Sequence, residues 1–206
     1  MQGACASIPW LAIPAILGRR LRRPTINLGF SGNGIMESEV ASLLAELNPC
    51  LFIIDCLPNM EESSISERTV PLVKKLREKH YNTPILLVED RSFTNTLFFP
   101  SFKNNHQKSR IALKKAYSEL NDLGIENLYY LDGKNLLGSD GEGATDGSHP
   151  NDLGMIRYAN AYEPVIRSIL KQYWLLYLSS KNLYWSLWEN YRRLIFTLPF
   201  TIKLNL

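Results

Sequence analysis

The run Asp146-Gly147-Ser148-His149-Pro150 sets a carboxylate three residues before an imidazole, in a glycine-containing turn that stops at a proline. Those residue types at that spacing suit general-base chemistry. A short turn lets the Asp146 carboxylate reach the Nδ1 side of His149, which fixes the tautomer and leaves Nε2 to take a proton from a nucleophile. Pro150 biases His149 toward an extended backbone, so the imidazole sits at the lip of the following helix rather than within it. The competing reading of an isolated Asp-x-x-His is a surface turn, with Asp152 capping the next helix. Its neighbours in the sequence weigh against that reading.

Two further segments accompany the loop in order. Ile26-Asn27-Leu28-Gly29-Phe30-Ser31-Gly32-Asn33-Gly34 follows a short β-like run, and Ile53-Ile54-Asp55-Cys56-Leu57-Pro58-Asn59-Met60 follows another. With the Asp146 to Pro150 loop they resemble blocks II, III and V of the SGNH, or GDSL-like, esterase and acylhydrolase family, over about residues 1 to 170. The resemblance implies that Gly32 supplies a backbone N–H and Asn59 a side-chain amide to an oxyanion hole, with His149 as base and Asp146 as its orienter. It implies serine acylation with no metal and no organic cofactor. Block III departs from the family's Gly-x-Asn-Asp, because Pro58 precedes Asn59 and Met60 follows it.

The family nucleophile stands one βα unit before the block II glycine, and such a unit takes roughly 30 residues. That count back from Gly32 reaches Met1 or earlier. Met1 to Ser7 reads like the tail of the nucleophile loop, so the expectation is a chain that begins downstream of its catalytic serine, with strand one missing too. Ser31 is the alternative nucleophile. Gly29-Phe30-Ser31-Gly32 superficially resembles a Gly-x-Ser elbow, but Asn33 stands where the second glycine belongs. Ser7 lies past the expected position, and Ser148 shares the loop of its own base.

These residues need a scaffold that brings them together. Apolar runs of strand length alternate with segments of helical period, which predicts an α/β fold: a flavodoxin-like three-layer sandwich with a mainly parallel sheet. The expected strands are 25–28, 51–55, 85–89 and 128–131, and the expected helices 10–21, 37–47, 66–80, 107–123 and 151–170. Each candidate then lies just past a strand or before a helix, so Gly32, Asn59, Asp90 and His149 can converge at the carboxyl edge of the sheet. In the order 2-1-3-4-5 a missing first strand leaves a central gap, and low stability is expected of the chain.

The loop from Arg91 to His106 carries Phe93, Phe98, Phe99 and Phe102 and either walls an acyl pocket or pins itself to the core. Glu89-Asp90-Arg91 is expected as a surface ion pair, and Asp140-Gly141-Glu142-Gly143 as a solvated approach to the base loop rather than a calcium site. Cys5, Cys50 and Cys56 lack metal-ligand or Cys-x-x-Cys spacing and read as buried free thiols. Arg19, Arg20, Arg22 and Arg23 fall where the first helix should end, complementing its dipole.

A net charge of +3 is too small to point to a nucleic-acid partner. The apolar run from Ile8 to Leu17 lacks a preceding Lys or Arg and contains Pro9 and Pro14, so it does not make a convincing signal peptide; the compartment and the oligomeric state stay open. At Lys171 the composition turns aromatic, with Trp174, Trp185 and Trp188. The chain therefore divides into a hydrolase-like domain, 1–170, and an extension, 171–206, that either contacts a membrane interface, the domain or a second subunit, or is an appended segment with no family function. The function expected is ester hydrolysis on an acylated small molecule or carbohydrate. The rival is a non-catalytic remnant or binding module.

Overall fold

The computed structural model describes residues 7–96 and 99–180. At its centre lies β2 (Ile85–Val88), whose four side chains are all buried. Four apolar residues without alternation are what a parallel strand covered on both faces requires. The strands β1 (Phe52–Ile54) and β3 (Leu128–Leu131) flank it in parallel, in the order β1-β2-β3, with Phe52 opposite Ile85 and Ile85 opposite Leu128.

The two-residue period of the strands sends alternate side chains to different layers. Phe52, Ile54, Ile85 and Leu87 pack into a core with α2 (Ser38–Leu44), α3 (Glu62–Lys79) and α4 (Pro100–Asp122), through residues such as Ala41, Val73, Leu76 and Leu113. Leu86 and Val88 pack on the other face against α1 (Ile13–Leu21) and α5 (Asp152–Ser180). On α5 the buried residues Met155, Tyr158, Tyr162, Ile166 and Ile169 recur at three- and four-residue steps, one stripe of a helix. The result is a three-layer α/β sandwich of the flavodoxin-like type.

Thr25 to Leu28 is not a strand. Ile26 and Leu28 are 67% and 41% exposed, and Thr25 Oγ1 donates to the Pro14 carbonyl at 3.0 Å. A strand needs a ladder and a buried face, and this segment has neither. Arg22, at a φ of 52°, ends α1 in the left-handed conformation, and the Arg23 amide closes back on the Gly18 carbonyl. Within α1, Arg19 and Arg20 do occupy the last turn. The helix α4 begins earlier than expected, at Pro100, where a proline suits the first turn. The loop after β2 is correspondingly shorter.

By its internal contacts the chain divides between Leu170 and Lys171. Trp185, Trp188, Tyr184 and Tyr191 lie outside the described residues, as do Cys5 and Phe98. Among the described residues no helix is long and apolar enough to cross a membrane.

Candidate active site

The loop from Asp146 to Pro150 is built by its own aspartate. Asp146 Oδ1 accepts the backbone N–H groups of Ser148 at 2.9 Å and His149 at 2.7 Å, and Asp146 Oδ2 meets His149 Nδ1 at 2.6 Å. One carboxylate thus shapes the turn and orients the imidazole. The turn requires Gly147 at a φ of 88°, which L side chains seldom adopt. The Thr145 amide bonds the His149 carbonyl, and Ala144 bridges to Pro150. Asn151, not Asp152, caps α5: its Oδ1 accepts the Gly154 N–H at 3.0 Å, the usual N-cap to N3 bond.

The side chains of His149 and Asp146 are 59% and 54% exposed, and no hydrogen bond engages His149 Nε2 among the described residues. The other two histidines differ. His80 Nε2 bonds the Ala45 carbonyl, and His106 is buried with its Nδ1 on Asp90. Partial burial alone would raise the Asp146 carboxyl, but the His149 amide, the imidazole and the Ser148 amide outweigh it and hold the group well below the usual carboxylate range. A carboxylate that stays ionised favours the imidazolium formed when His149 takes a proton.

The segment after β2 holds this loop from behind. Arg91 Nε and Nη2 donate to the Ser148 carbonyl (2.7 Å) and hydroxyl (3.0 Å), the Thr94 amide donates to the Gly147 carbonyl (2.8 Å), and Asn95 reaches the Asp146 carbonyl (3.3 Å). Glu89, Asp90 and Arg91 are 6%, 4% and 3% exposed, so they form a buried cluster and not the surface ion pair expected of them. Glu89 accepts from Tyr130 OH and the Gly133 amide, and Asp90 is paired with His106 rather than aimed at a substrate. Nor is the acidic approach simply solvated, because Arg157 grips Asp140 through both guanidinium nitrogens, the Nη1 bond being 2.6 Å. That pairing lowers Asp140 to about 2.

The block II turn precedes α2 in the chain and meets the turn that follows β1. Phe30, Ser31 and Gly32 all have positive φ, at 48°, 49° and 90°, and both amides of Asn33 close the turn on the Phe30 carbonyl. Two non-glycine residues in that region carry backbone strain of about 1 kcal/mol or more each, a feature that concentrates at functional sites. Asn59 ends a 3-10 turn, Leu57–Asn59, in which Pro58 fits the first turn, and its Nδ2 reaches the Gly34 carbonyl at 3.4 Å. The structure therefore brings Asn59 to the Gly32 turn and Asp146 to His149. Among the described residues no hydrogen bond joins the two pairs.

None of the described serines bonds the His149 imidazole. Ser7 Oγ donates to Asp152 at 2.6 Å, Ser148 Oγ faces Arg91, and Ser31 is exposed in the strained turn. Burial pushes the Cys56 thiol up to about 12, which makes it a poor nucleophile, whereas Cys50 is exposed, contrary to expectation.

The fold is a parallel three-layer α/β sandwich that carries an exposed Asp–His pair and a strained turn at Phe30 to Gly32. The chain belongs to the GDSL-like lipase/acylhydrolase family, whose model matches residues 1–167. It is 40% identical to a Bacteroides ovatus chain assigned to the GDSL-like lipases, covering 79% of this chain and 48% of that one with a TM-score of 0.77. Similarity in fold extends to the salicylyl-acyltransferase SsfX3 of a tetracycline biosynthetic pathway (21% identity, 82% and 51% covered, TM-score 0.70). It extends also to a family two carbohydrate esterase of Clostridium thermocellum (12% identity, 78% and 54% covered, TM-score 0.51). The chain spans about half the length of these solved structures. No curated protein matches it.

Proposed function

We propose that residues 1–170 form the hydrolase domain of a serine-type esterase acting on an acylated small molecule or carbohydrate, with 171–206 as an extension. The observation that carries this reading is the 2.6 Å pairing of Asp146 with Nδ1 of a largely exposed His149 side chain, whose Nε2 makes no hydrogen bond among the described residues. His149 takes the proton of the attacking hydroxyl and returns it to the leaving alcohol. Asp146 fixes the tautomer. The Gly32 N–H and the Asn59 amide stabilise the tetrahedral oxyanion, a role supported by the 3.4 Å contact that ties Asn59 to the block II turn. Among the described serines, Ser7 and Ser148 are engaged elsewhere and Ser31 makes no bond to the base.

The test is hydrolysis of p-nitrophenyl acetate by this chain, by His149→Ala and Ser31→Ala, and by a form lengthened at the N-terminus with about 30 residues of the coding sequence, one βα unit. In whichever form hydrolyses the ester, loss of activity with His149→Ala is expected, and activity confined to the lengthened form would place the nucleophile before Met1. Activity of the short chain that disappears with Ser31→Ala would transfer the nucleophile to Ser31. A lengthened form that hydrolyses nothing would favour a binding module.

A further inference from the structure

We propose that Arg91 is a positioning residue for the base: from beneath the loop its guanidinium pins the peptide unit between Ser148 and His149 and so holds the imidazole against Asp146. The inference rests on the assignment of His149 as base. A peptide unit is planar, so the Ser148 carbonyl and the His149 N–H turn together and point opposite ways. On the buried side Arg91 Nε donates to that carbonyl at 2.7 Å, while Nη2 takes the Ser148 hydroxyl at 3.0 Å. On the exposed side the His149 N–H donates to Asp146 Oδ1 at 2.7 Å, and the other oxygen of the same carboxylate meets the imidazole at 2.6 Å. Rotation of this single plane breaks charge-assisted bonds on both sides at once.

Arg91 is itself held. Its side chain is 4% exposed, it faces the Asp90 carboxylate at 3.7 Å, and it lies over the Phe93 ring at 5.1 Å. A buried cation with those neighbours has no cheap alternative position. Lysine would keep the charge but lose the planar fork that serves carbonyl and hydroxyl together.

The experiment reads the imidazole directly. The chain has three histidines, and long-range proton–nitrogen spectra at alkaline pH report the tautomer of each. For the wild-type chain we expect His149 in one tautomer, with its proton on Nδ1, and an Arg91 Nε–H that exchanges slowly with solvent. Arg91→Lys should move His149 toward the mixed tautomers of a free imidazole and leave His80 unchanged, with Ser148→Ala producing a smaller shift in the same direction. In whichever form hydrolyses p-nitrophenyl acetate, Arg91→Lys should lower kcat about tenfold to a hundredfold with little change in KM, as misplacement of a catalytic group does. An unshifted His149 tautomer in Arg91→Lys overturns the proposal. If that variant does not fold, a rapidly exchanging Arg91 Nε–H in the wild-type chain overturns it instead. Activity that survives His149→Ala removes the base assignment, yet leaves the tautomer readout of the clamp intact.

Discussion

At the scale of single residues, the Asp146–His149 pair was legible because everything that forms it is local: carboxylate, glycine and imidazole lie within four consecutive positions. Replacing His149 with alanine should lower esterase turnover by at least about a hundredfold, the contribution of a positioned base, and Asp146→Asn should approach that loss because the amide can stabilise the wrong tautomer. Steady-state assay of both variants beside their circular dichroism checks this. Arg91 was not legible. It stands 57 residues from Ser148, and a charged triplet at a strand end reads as surface until the strand is known to be buried on both faces. The cysteines separate in the same way: the sequence offers no means of telling Cys50 from Cys56. Iodoacetamide should label exposed Cys50 in the native chain and reach Cys56, whose thiol is pushed up to about 12, only after unfolding, as mass spectrometry would show.

At the scale of elements, β1, β2 and β3 and most helices were predictable because uninterrupted apolar runs and three-to-four-residue stripes have few other solutions. Thr25 to Leu28 misled because its composition alternates like a strand, whereas pairing depends on a neighbour that no local pattern reveals. The start of α4 was missed since Pro100 looked like a loop residue when it opens a helix. The base loop shows how tightly these elements abut. A Cβ at Gly147 would overlap the Asn95 amide, and its φ of 88° already disfavours any side chain. Gly147→Ala should therefore displace the loop from the segment after β2 and cost about 1 kcal/mol or more in strain alone. The expected signature is an activity loss comparable to that of Asp146→Asn with a lowered urea midpoint; a variant as stable and as active as the parent would count against this account.

At the scale of the whole molecule, buried charge sets the response to pH. Burial pushes the Asp55 carboxyl up to about 6. A carboxyl raised by folding penalises the native state once the unfolded chain ionises it, so the penalty begins above its ordinary value of about 4, grows to about pH 6 and is constant beyond. Asp140 acts in the opposite sense: its pairing with Arg157 contributes stability above about 4 that is lost as pH falls toward about 2. Asp55→Asn should then raise the urea midpoint at about pH 7 and barely alter it at about pH 4; an equal rise at both would assign the effect to packing. The layer formed by α1 and α5 also has a consequence for the molecule in concentrated solution. It covers Leu86 completely, but Ile53, opposite Leu86 on β1, is 37% exposed on a strand that pairs on one side only among the described residues. An oily side chain beside an unpaired row of peptide groups is a template for stacking one chain on the next. Colloidal behaviour is thus expected to limit handling of this protein before unfolding does, with scattering that climbs steeply with concentration and is suppressed by Ile53→Lys.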